Sequence, residues 1–165
     1  NVAPAGLSIV IVREDLLGDP MEFTPTMFNY KTMAENDSMY NTPPCWPIYI
    51  CKLVLEWIKN DIGGLEKMEE RNVRKAQLLY DFLDQSTLFK GCAEKESRSI
   101  MNVTFVTGDK DLDAKFVKES EAAGFVNLKG HRSVGGMRAS IYNAMPEEGI
   151  VKLVEFMKKF ELENQ

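Results

Sequence analysis

The chain has 165 residues and a formal net charge of −5, with 44% hydrophobic and 27% charged residues. These values are typical of a soluble globular protein with one domain, or with one domain and part of a second. The negative charge argues against non-specific binding to nucleic acid or to an anionic membrane surface. No apolar run reaches the roughly 18 residues that a membrane-spanning helix needs. Neither nucleic-acid binding nor membrane insertion is therefore expected.

The chain contains three cysteines and one histidine. Cys45, Cys51 and Cys92 show no CxxC spacing, so the sequence predicts neither a disulfide framework nor a metal site. Free thiols in this number suit a reducing cytoplasm. Residues 1–6 have neither the basic region nor the long apolar core of a signal peptide. A start without Met is expected of a processed or shortened chain.

The first predicted element is a strand over residues 7–12, Leu-Ser-Ile-Val-Ile-Val. Its continuous apolar, β-branched character predicts burial on both faces of an α/β sheet, although such a strand needs neighbours that the chain does not obviously supply. Residues 18–47 contain five prolines and little periodicity, which predicts a long irregular segment of the kind that is often functional. A buried helix is expected over 48–58, with Pro47 in its first turn and the glycine pair 63–64 after it.

The second half of the chain alternates between helix and strand patterns. Helical spacing over 65–83 predicts an amphipathic helix long enough to link two domains. Its expected apolar stripe comprises Leu65, Met68, Ala76, Leu79 and Leu83. Residues 102–107 alternate in period two, as in a half-buried strand. A helix over 109–123 begins with acidic residues and is stopped by Gly124.

The remaining elements complete a small sandwich. A short strand is expected over 125–128 and another over 137–141, which places Arg138 and the core residues on opposite faces. A final helix begins after Pro146. Its core stripe comprises Ile150, Leu153, Val154, Met157 and Phe160. The order β-α-β-β-α over 98–162 predicts a small α+β sandwich.

Residues 130–143 are the most informative segment. They hold the only histidine, and two arginines flank a glycine pair. A guanidinium offers a planar fork that fits carboxylate or phosphate, and glycines allow a ligand or another backbone to come close. The segment therefore predicts a site for a small dianion. Its spacing alone favours a solvated basic loop, because basic residues are mostly exposed.

Four segments carry a resemblance to a known family: 1–18, 41–44 (Asn-Thr-Pro-Pro), 98–103 and 130–146. In this order they resemble the phosphoserine aminotransferases, pyridoxal-phosphate enzymes of fold type I, and the resemblance covers essentially the whole chain. It implies the C-terminal part of an α/β enzyme, with a terminal piece of the large-domain sheet and a small α+β domain. The implied divisions are the tail of the large cofactor-binding domain, a linking helix and the small domain, over 1–63, 64–85 and 86–165.

The resemblance also implies an activity. The family transfers an amino group from glutamate to 3-phosphohydroxypyruvate, giving phosphoserine and 2-oxoglutarate in serine biosynthesis, and works as a cytoplasmic homodimer with pyridoxal 5'-phosphate. The Schiff-base lysine is expected just before Asn1. No catalytic residue is therefore expected in this chain, which alone is expected to be inactive, with the cofactor absent or not covalently bound.

The resemblance assigns roles to five residues. Arg138 would bind the substrate α-carboxylate, and His131 with Arg132 would meet its distal phosphate or γ-carboxylate. Asn41 and Thr42 would reach the cofactor phosphate of the neighbouring subunit. The alternative for Arg138 is a solvated strand residue. For His131 it is a capped loop residue, and for Arg132 a solvated one. For Asn41 and Thr42 it is a turn or N-cap role before a helix. The alternative function is a non-catalytic α+β module that binds an anionic metabolite or mediates dimerisation.

Overall fold

The computed structural model describes residues 1–18 and 20–164. The chain forms two compact units, Val2–Asp61 and Ile62–Gln165, and Asn1 groups with the second unit. Among the described residues, no helix combines the length and the apolar character that crossing a membrane requires. The three-part division into 1–63, 64–85 and 86–165 stays a prediction.

The Val2–Asp61 unit is mostly irregular. It contains two 3₁₀ turns and two helices: Glu14–Leu16, Thr26–Phe28, α1 (Tyr30–Glu35) and α2 (Cys45–Trp57). The predicted irregularity of 18–47 is largely confirmed, with Asp19 outside the described residues. The predicted buried strand over 7–12 is wrong. These residues form no strand, and Ile11 is 96% exposed, because no described strand lies beside them to pair with their backbone.

Helix α2 confirms the predicted helix but not its burial. It begins at Cys45, so Pro47 lies in the first turn, where a missing N–H leaves no hydrogen bond unmade. Cys51 is the buried residue of α2, whereas Trp46 and Leu55 are exposed. The apolar sequence therefore predicted the helix, but burial depends on a covering surface that this unit does not supply. A short π-helical turn, Ile58–Ile62, follows α2.

The Ile62–Gln165 unit contains a three-stranded antiparallel sheet and three long helices. In chain order these are α3 (Leu65–Gln85), β1 (Lys90–Gly91), a 3₁₀ turn (Lys95–Ser97), β2 (Asn102–Val106), α4 (Lys110–Ala122), β3 (Met137–Ser140) and α5 (Glu147–Glu163). The strand order is β1-β2-β3. In the β2–β3 register, Thr104 lies opposite Arg138 and Phe105 lies opposite Met137. The three predicted helices and the predicted strands at β2 and β3 are confirmed.

Two details of the predicted strand order are corrected. Residues 125–128 form no strand, and only a single bridge joins Lys129 to Met137. The positive φ of Asn127, 62°, breaks the extended backbone that a strand requires. Strand β1 was not predicted, because two residues are too few to show a period.

Local signals explain where α4 begins and ends. The Asp109 side chain accepts hydrogen bonds from the N–H groups of Asp111 and Leu112, which satisfies donors that the first turn leaves free. Gly124 follows the helix with a φ of 91°, a left-handed conformation that glycine adopts without steric cost. The predicted boundaries at 109 and 124 are thus confirmed to within one residue.

The core lies on one face of the sheet. Val103 and Phe105 from β2 are fully buried there, as are Met137 and Ala139 from β3. An aromatic cluster covers them, formed by Phe89, Phe105, Phe116 and Phe160. The predicted α5 stripe is buried at four of its five positions, with Val154 partly buried. Leu65, predicted in the α3 stripe, is exposed, because the first turn of α3 extends beyond the sheet-facing core.

The packing of α5 leads to a stability prediction. Leu153 is buried, whereas Leu162 on the same helix is 76% exposed. We expect Leu153→Ala to lower the free energy of unfolding by about 2–5 kcal/mol, because it leaves a cavity in the core. The matched variant Leu162→Ala should change it by no more than about 0.5 kcal/mol. Denaturant unfolding measures both values, and equal losses would contradict the assignment of the core face.

Candidate functional site

The outer face of β2 and β3, opposite the core, is polar. It carries Asn102 and Thr104 from β2 and Arg138 and Ser140 from β3, all half-buried. The Ser140 hydroxyl donates a hydrogen bond to Asn102 Oδ1 at 3.2 Å, and the Tyr142 hydroxyl donates to the same atom at 3.2 Å. The predicted placement of Arg138 opposite the core is therefore confirmed, and its neighbours are hydrogen-bonding groups.

Arg138 has binding capacity that the described protein does not use. Its Nε is buried and has no hydrogen-bond partner among residues 1–18 and 20–164. None of the ion pairs between described residues includes Arg138. A buried donor left unpaired is unfavourable and uncommon. A guanidinium without an ion-pair partner among the described residues is suited to a planar anion that accepts two parallel hydrogen bonds.

The turn that follows β3 is held by a buried lysine from α3. Lys75 is fully buried, and its Nζ donates to the carbonyl oxygens of Ile141, Tyr142 and Met145 at 3.2, 2.7 and 3.1 Å. Burial lowers the pKa of Lys75 to about 8; the positive charge of Arg71 adds to the lowering, and Glu147 opposes it. With its donors occupied inside the protein, Lys75 is not placed to act as a nucleophile.

A chain of amide groups starts one turn earlier on α3. Asn72 Nδ2 donates to Asn143 Oδ1 at 2.8 Å, and the Asn143 backbone N–H donates to Asn1 Oδ1 at 3.2 Å. Asn1 Nδ2 in turn lies 3.3 Å from Met101 Sδ. The side chain of Asn1 is thereby tied to the end of the sheet that carries Arg138.

Sequence reasoning missed Asn72 and Lys75. The available signal was their position, because both fall between Met68 and Leu79 on the buried stripe of α3. A polar residue on an apolar stripe at helical spacing indicates a buried polar contact. The sequence does not identify its partner, because Asn143 lies 71 residues away.

The loop over 130–136 is closed by its own backbone. Gly130 N–H donates to the carbonyl oxygen of Gly136 at 2.8 Å, and the carbonyl oxygen of His131 accepts from Val134 and Gly135 at 2.9 and 2.8 Å. His131 Nδ1 lies 2.6 Å from the Ser133 hydroxyl oxygen. The His131 ring is therefore held by a neighbour while remaining exposed.

Gly136 allows this loop to lie against β2. A Cβ at this position would lie 2.6 Å from Val106 Cγ1 and 2.9 Å from the carbonyl oxygen of Phe105. Its φ of 62° is also in the left-handed region. Close backbone approach, which the sequence suggested for the glycine pair, is thus confirmed at Gly136, whereas a Cβ at Gly135 would meet nothing within 4 Å.

A cleft of about 630 Å³ lies between this loop and α4. The structure brings His131 and Arg132 together on its wall, where Lys110 and Lys129 add further positive charge. The one lining carboxylate, Asp113, already accepts hydrogen bonds from the Thr107 backbone and hydroxyl, both at 2.8 Å. The cleft therefore presents basic groups, but Arg138 does not line it.

Asn41 and Thr42 lie in the other unit, Val2–Asp61. Both are exposed in an irregular stretch, where Asn41 Nδ2 donates to the Thr42 carbonyl oxygen at 3.3 Å. Pro44 precedes α2 without a side-chain cap. The N-cap interpretation of Asn41 and Thr42 is therefore wrong, because Pro44 holds the N-cap position.

Residues 1–153 match the family described as aminotransferase class-V, and the chain belongs to this family. The phosphoserine aminotransferase of Streptococcus suis is 58% identical over 99% of this chain and 45% of its own length. That of Haemophilus influenzae is 56% identical over 99% of this chain and 45% of its own length. The chain thus spans about 45% of the length of these curated relatives.

Solved structures agree with this similarity. A phosphoserine aminotransferase studied for radiation damage of its Schiff base superposes with a TM-score of 0.94 at 47% identity, covering 99% of this chain and 45% of that one. The enzyme from Bacillus circulans subsp. alkalophilus gives 0.89 at 50% identity, covering 93% of this chain and 43% of that one. The predicted family and its fold class are confirmed.

The buried Lys75 leads to a pH prediction. Between about pH 8 and the ordinary lysine pKa of about 10.4, the unfolded chain holds a proton that folded Lys75 has lost. The free energy of unfolding should therefore rise with pH across this window, by at most about 1.4 kcal/mol per pH unit. Denaturant unfolding of wild type and Lys75→Met isolates this contribution, with Lys67→Met on the same helix as control. The prediction would be contradicted by a difference in unfolding free energy between wild type and Lys75→Met that stays constant from pH 8 to 10.

The glycine pair gives a second prediction. Gly136→Ala should lower the free energy of unfolding by about 1–3 kcal/mol more than Gly135→Ala, because only the first brings a methyl group against Val106 and Phe105. Both positions have positive φ, so both variants share a backbone penalty of about 1–2 kcal/mol. Equal unfolding free energies for the two variants would show that the loop does not depend on this contact.

Proposed function

We propose that the chain is the C-terminal part of a pyridoxal-phosphate-dependent transaminase that moves an amino group from glutamate to 3-phosphohydroxypyruvate. The products are phosphoserine and 2-oxoglutarate, and the reaction belongs to serine biosynthesis. The observation that carries this proposal is the position of Arg138 on a polar sheet face, without an ion-pair partner among the described residues. It occurs in a chain that is 58% identical to a phosphoserine aminotransferase.

Arg138 binds the α-carboxylate. Each substrate and product of this reaction carries an α-carboxylate, so one guanidinium fork serves all of them by a bidentate pair. Its half-buried position strengthens the pair, because a charge-assisted hydrogen bond competes less with water there. Thr104 lies opposite Arg138 in the sheet and Ser140 lies on the same face of β3, so hydroxyl groups flank the guanidinium.

His131 and Arg132 receive the distal anion. Glutamate carries a γ-carboxylate and phosphoserine a phosphate, so this part of the site must accept two anions of different shape. The cleft that both residues line also contains Lys110 and Lys129, and its one carboxylate is occupied by Thr107. Several flexible or rotatable cationic donors suit two different anions better than a single rigid pair does.

The cofactor phosphate fits the 41–44 turn. Asn41 and Thr42 offer an exposed amide and hydroxyl before α2, and such donors suit phosphate. Bound pyridoxal phosphate supplies an electron sink. We further propose that this contact crosses to a neighbouring subunit, which makes the full-length enzyme a homodimer.

The lysine that carries the cofactor precedes Asn1 in this proposal. Lys75 cannot replace it, because its Nζ is enclosed by three carbonyl groups. The chain by itself is therefore expected not to transaminate. The cysteines at 45, 51 and 92 are free thiols, which suits a cytoplasmic enzyme.

The test is Arg138→Gln in the full-length protein. We expect kcat/KM for glutamate and for the phosphorylated keto acid to fall together, by about 10- to 100-fold, because both lose the same charge-assisted pair. Arg74→Gln, which removes an exposed arginine from α3, is the matched control. Wild-type kcat/KM in Arg138→Gln would overturn the assignment. A full-length wild type that binds anionic metabolites without transamination would instead support the non-catalytic module.

A further inference from the structure

We infer that Asn72 is a positioning residue that acts through Asn143 to fix the orientation of Asn1 relative to Arg138. Asn72 belongs to α3 and contacts neither the polar sheet face nor the basic cleft through any hydrogen bond of the described residues. The inference rests on the proposed function, in which the cofactor-bearing lysine immediately precedes Asn1.

The first step is the continuity of the hydrogen bonds. Asn72 donates to the Asn143 side chain at 2.8 Å, and the Asn143 backbone donates to the Asn1 side chain at 3.2 Å. The opposite end of the Asn1 amide lies 3.3 Å from Met101 Sδ. Asn1 is therefore held between the residue that precedes β2 and the turn that follows β3.

The second step is that the same helix fixes this turn twice. Lys75 lies three residues after Asn72, on the same face of α3, and binds three carbonyl oxygens of 141–145. Asn143 lies inside that turn, so these hydrogen bonds restrict the direction of its N–H. The turn continues directly from β3, so Arg138 and Asn1 share one rigid frame.

The third step is that stability does not account for an asparagine at this position. Asn72 is 3% exposed, and its Oδ1 is buried without a hydrogen-bond partner among the described residues. A half-satisfied amide in a helix core carries a desolvation penalty that an apolar side chain of similar volume avoids. A role in orienting Asn143, to which its Nδ2 donates, accounts for the asparagine at this position.

The experiment compares two α3 variants in the full-length enzyme. Asn72→Leu removes the donor to Asn143. The matched control Tyr80→Phe removes a different part-buried hydrogen bond from the same helix, the 3.0 Å bond to the Ser99 carbonyl oxygen. We expect Asn72→Leu to lower the unfolding midpoint no more than Tyr80→Phe does while kcat falls about tenfold, because small displacements of reacting groups are costly. The KM for glutamate should change less than threefold, because Arg138 is untouched.

A spectroscopic measurement separates positioning from general loosening. In Asn72→Leu without substrate, the pH at which the bound cofactor changes its absorbance should shift, whereas Tyr80→Phe should match wild type. Asn143→Ala removes the acceptor from the other side and should reproduce the loss. The double variant should lose no more than either single variant, as expected of one shared pathway.

The outcomes are distinguishable. An active wild type whose kcat and absorbance titration are unchanged in Asn72→Leu overturns this inference alone. Equal losses of kcat in Asn72→Leu and Tyr80→Phe overturn it as well, because they indicate only a weakened fold. A full-length wild type that neither binds the cofactor nor transaminates overturns the proposed function and this inference with it.

Discussion

The ammonium group of Lys75 is the contact on which the arrangement of the second unit depends. It joins the longest helix, α3, to the turn that ends the sheet, by three hydrogen bonds to backbone carbonyl oxygens. A buried charge is tolerated only when its donors are satisfied. Moving the turn away would leave the ammonium group buried without hydrogen-bond partners, which is unfavourable. The position of Asn143, which lies within this turn, follows from this constraint.

The two faces of the sheet have different roles: one packs in the core and the other carries polar groups. One face of β2 and β3 meets the aromatic cluster centred on Phe116. The other face carries hydrogen-bonding groups and the unpaired Nε of Arg138. Because neighbouring residues of a strand point to opposite faces, Met137 and Arg138 serve the two purposes from adjacent positions. A basic cleft beside the 130–136 loop adds a second region of positive charge.

The two units differ in how much of their apolar surface is buried within this chain. In the Ile62–Gln165 unit the apolar stripes of the helices meet the sheet, and the predicted stripe at 150–160 is mostly buried. In the Val2–Asp61 unit the apolar residues at 9–11 stay exposed, as do several along α2, such as Trp46 and Leu55. The chain belongs to the aminotransferase class-V family and covers about 45% of the length of its curated relatives.

The sequence by itself predicted helices α2 to α5, strands β2 and β3 and the family, because periodicity, caps and collinear motifs are local properties. It also placed Arg138 opposite the core, since strand alternation needs no knowledge of the partner strand. Only the tertiary structure decided that 7–12 is not a strand, because strand pairing requires a neighbour. Only it showed that Lys75 and Asn72 hold the turn at 141–145. Their partners lie 66 to 71 residues away, and no local pattern encodes contacts over that separation.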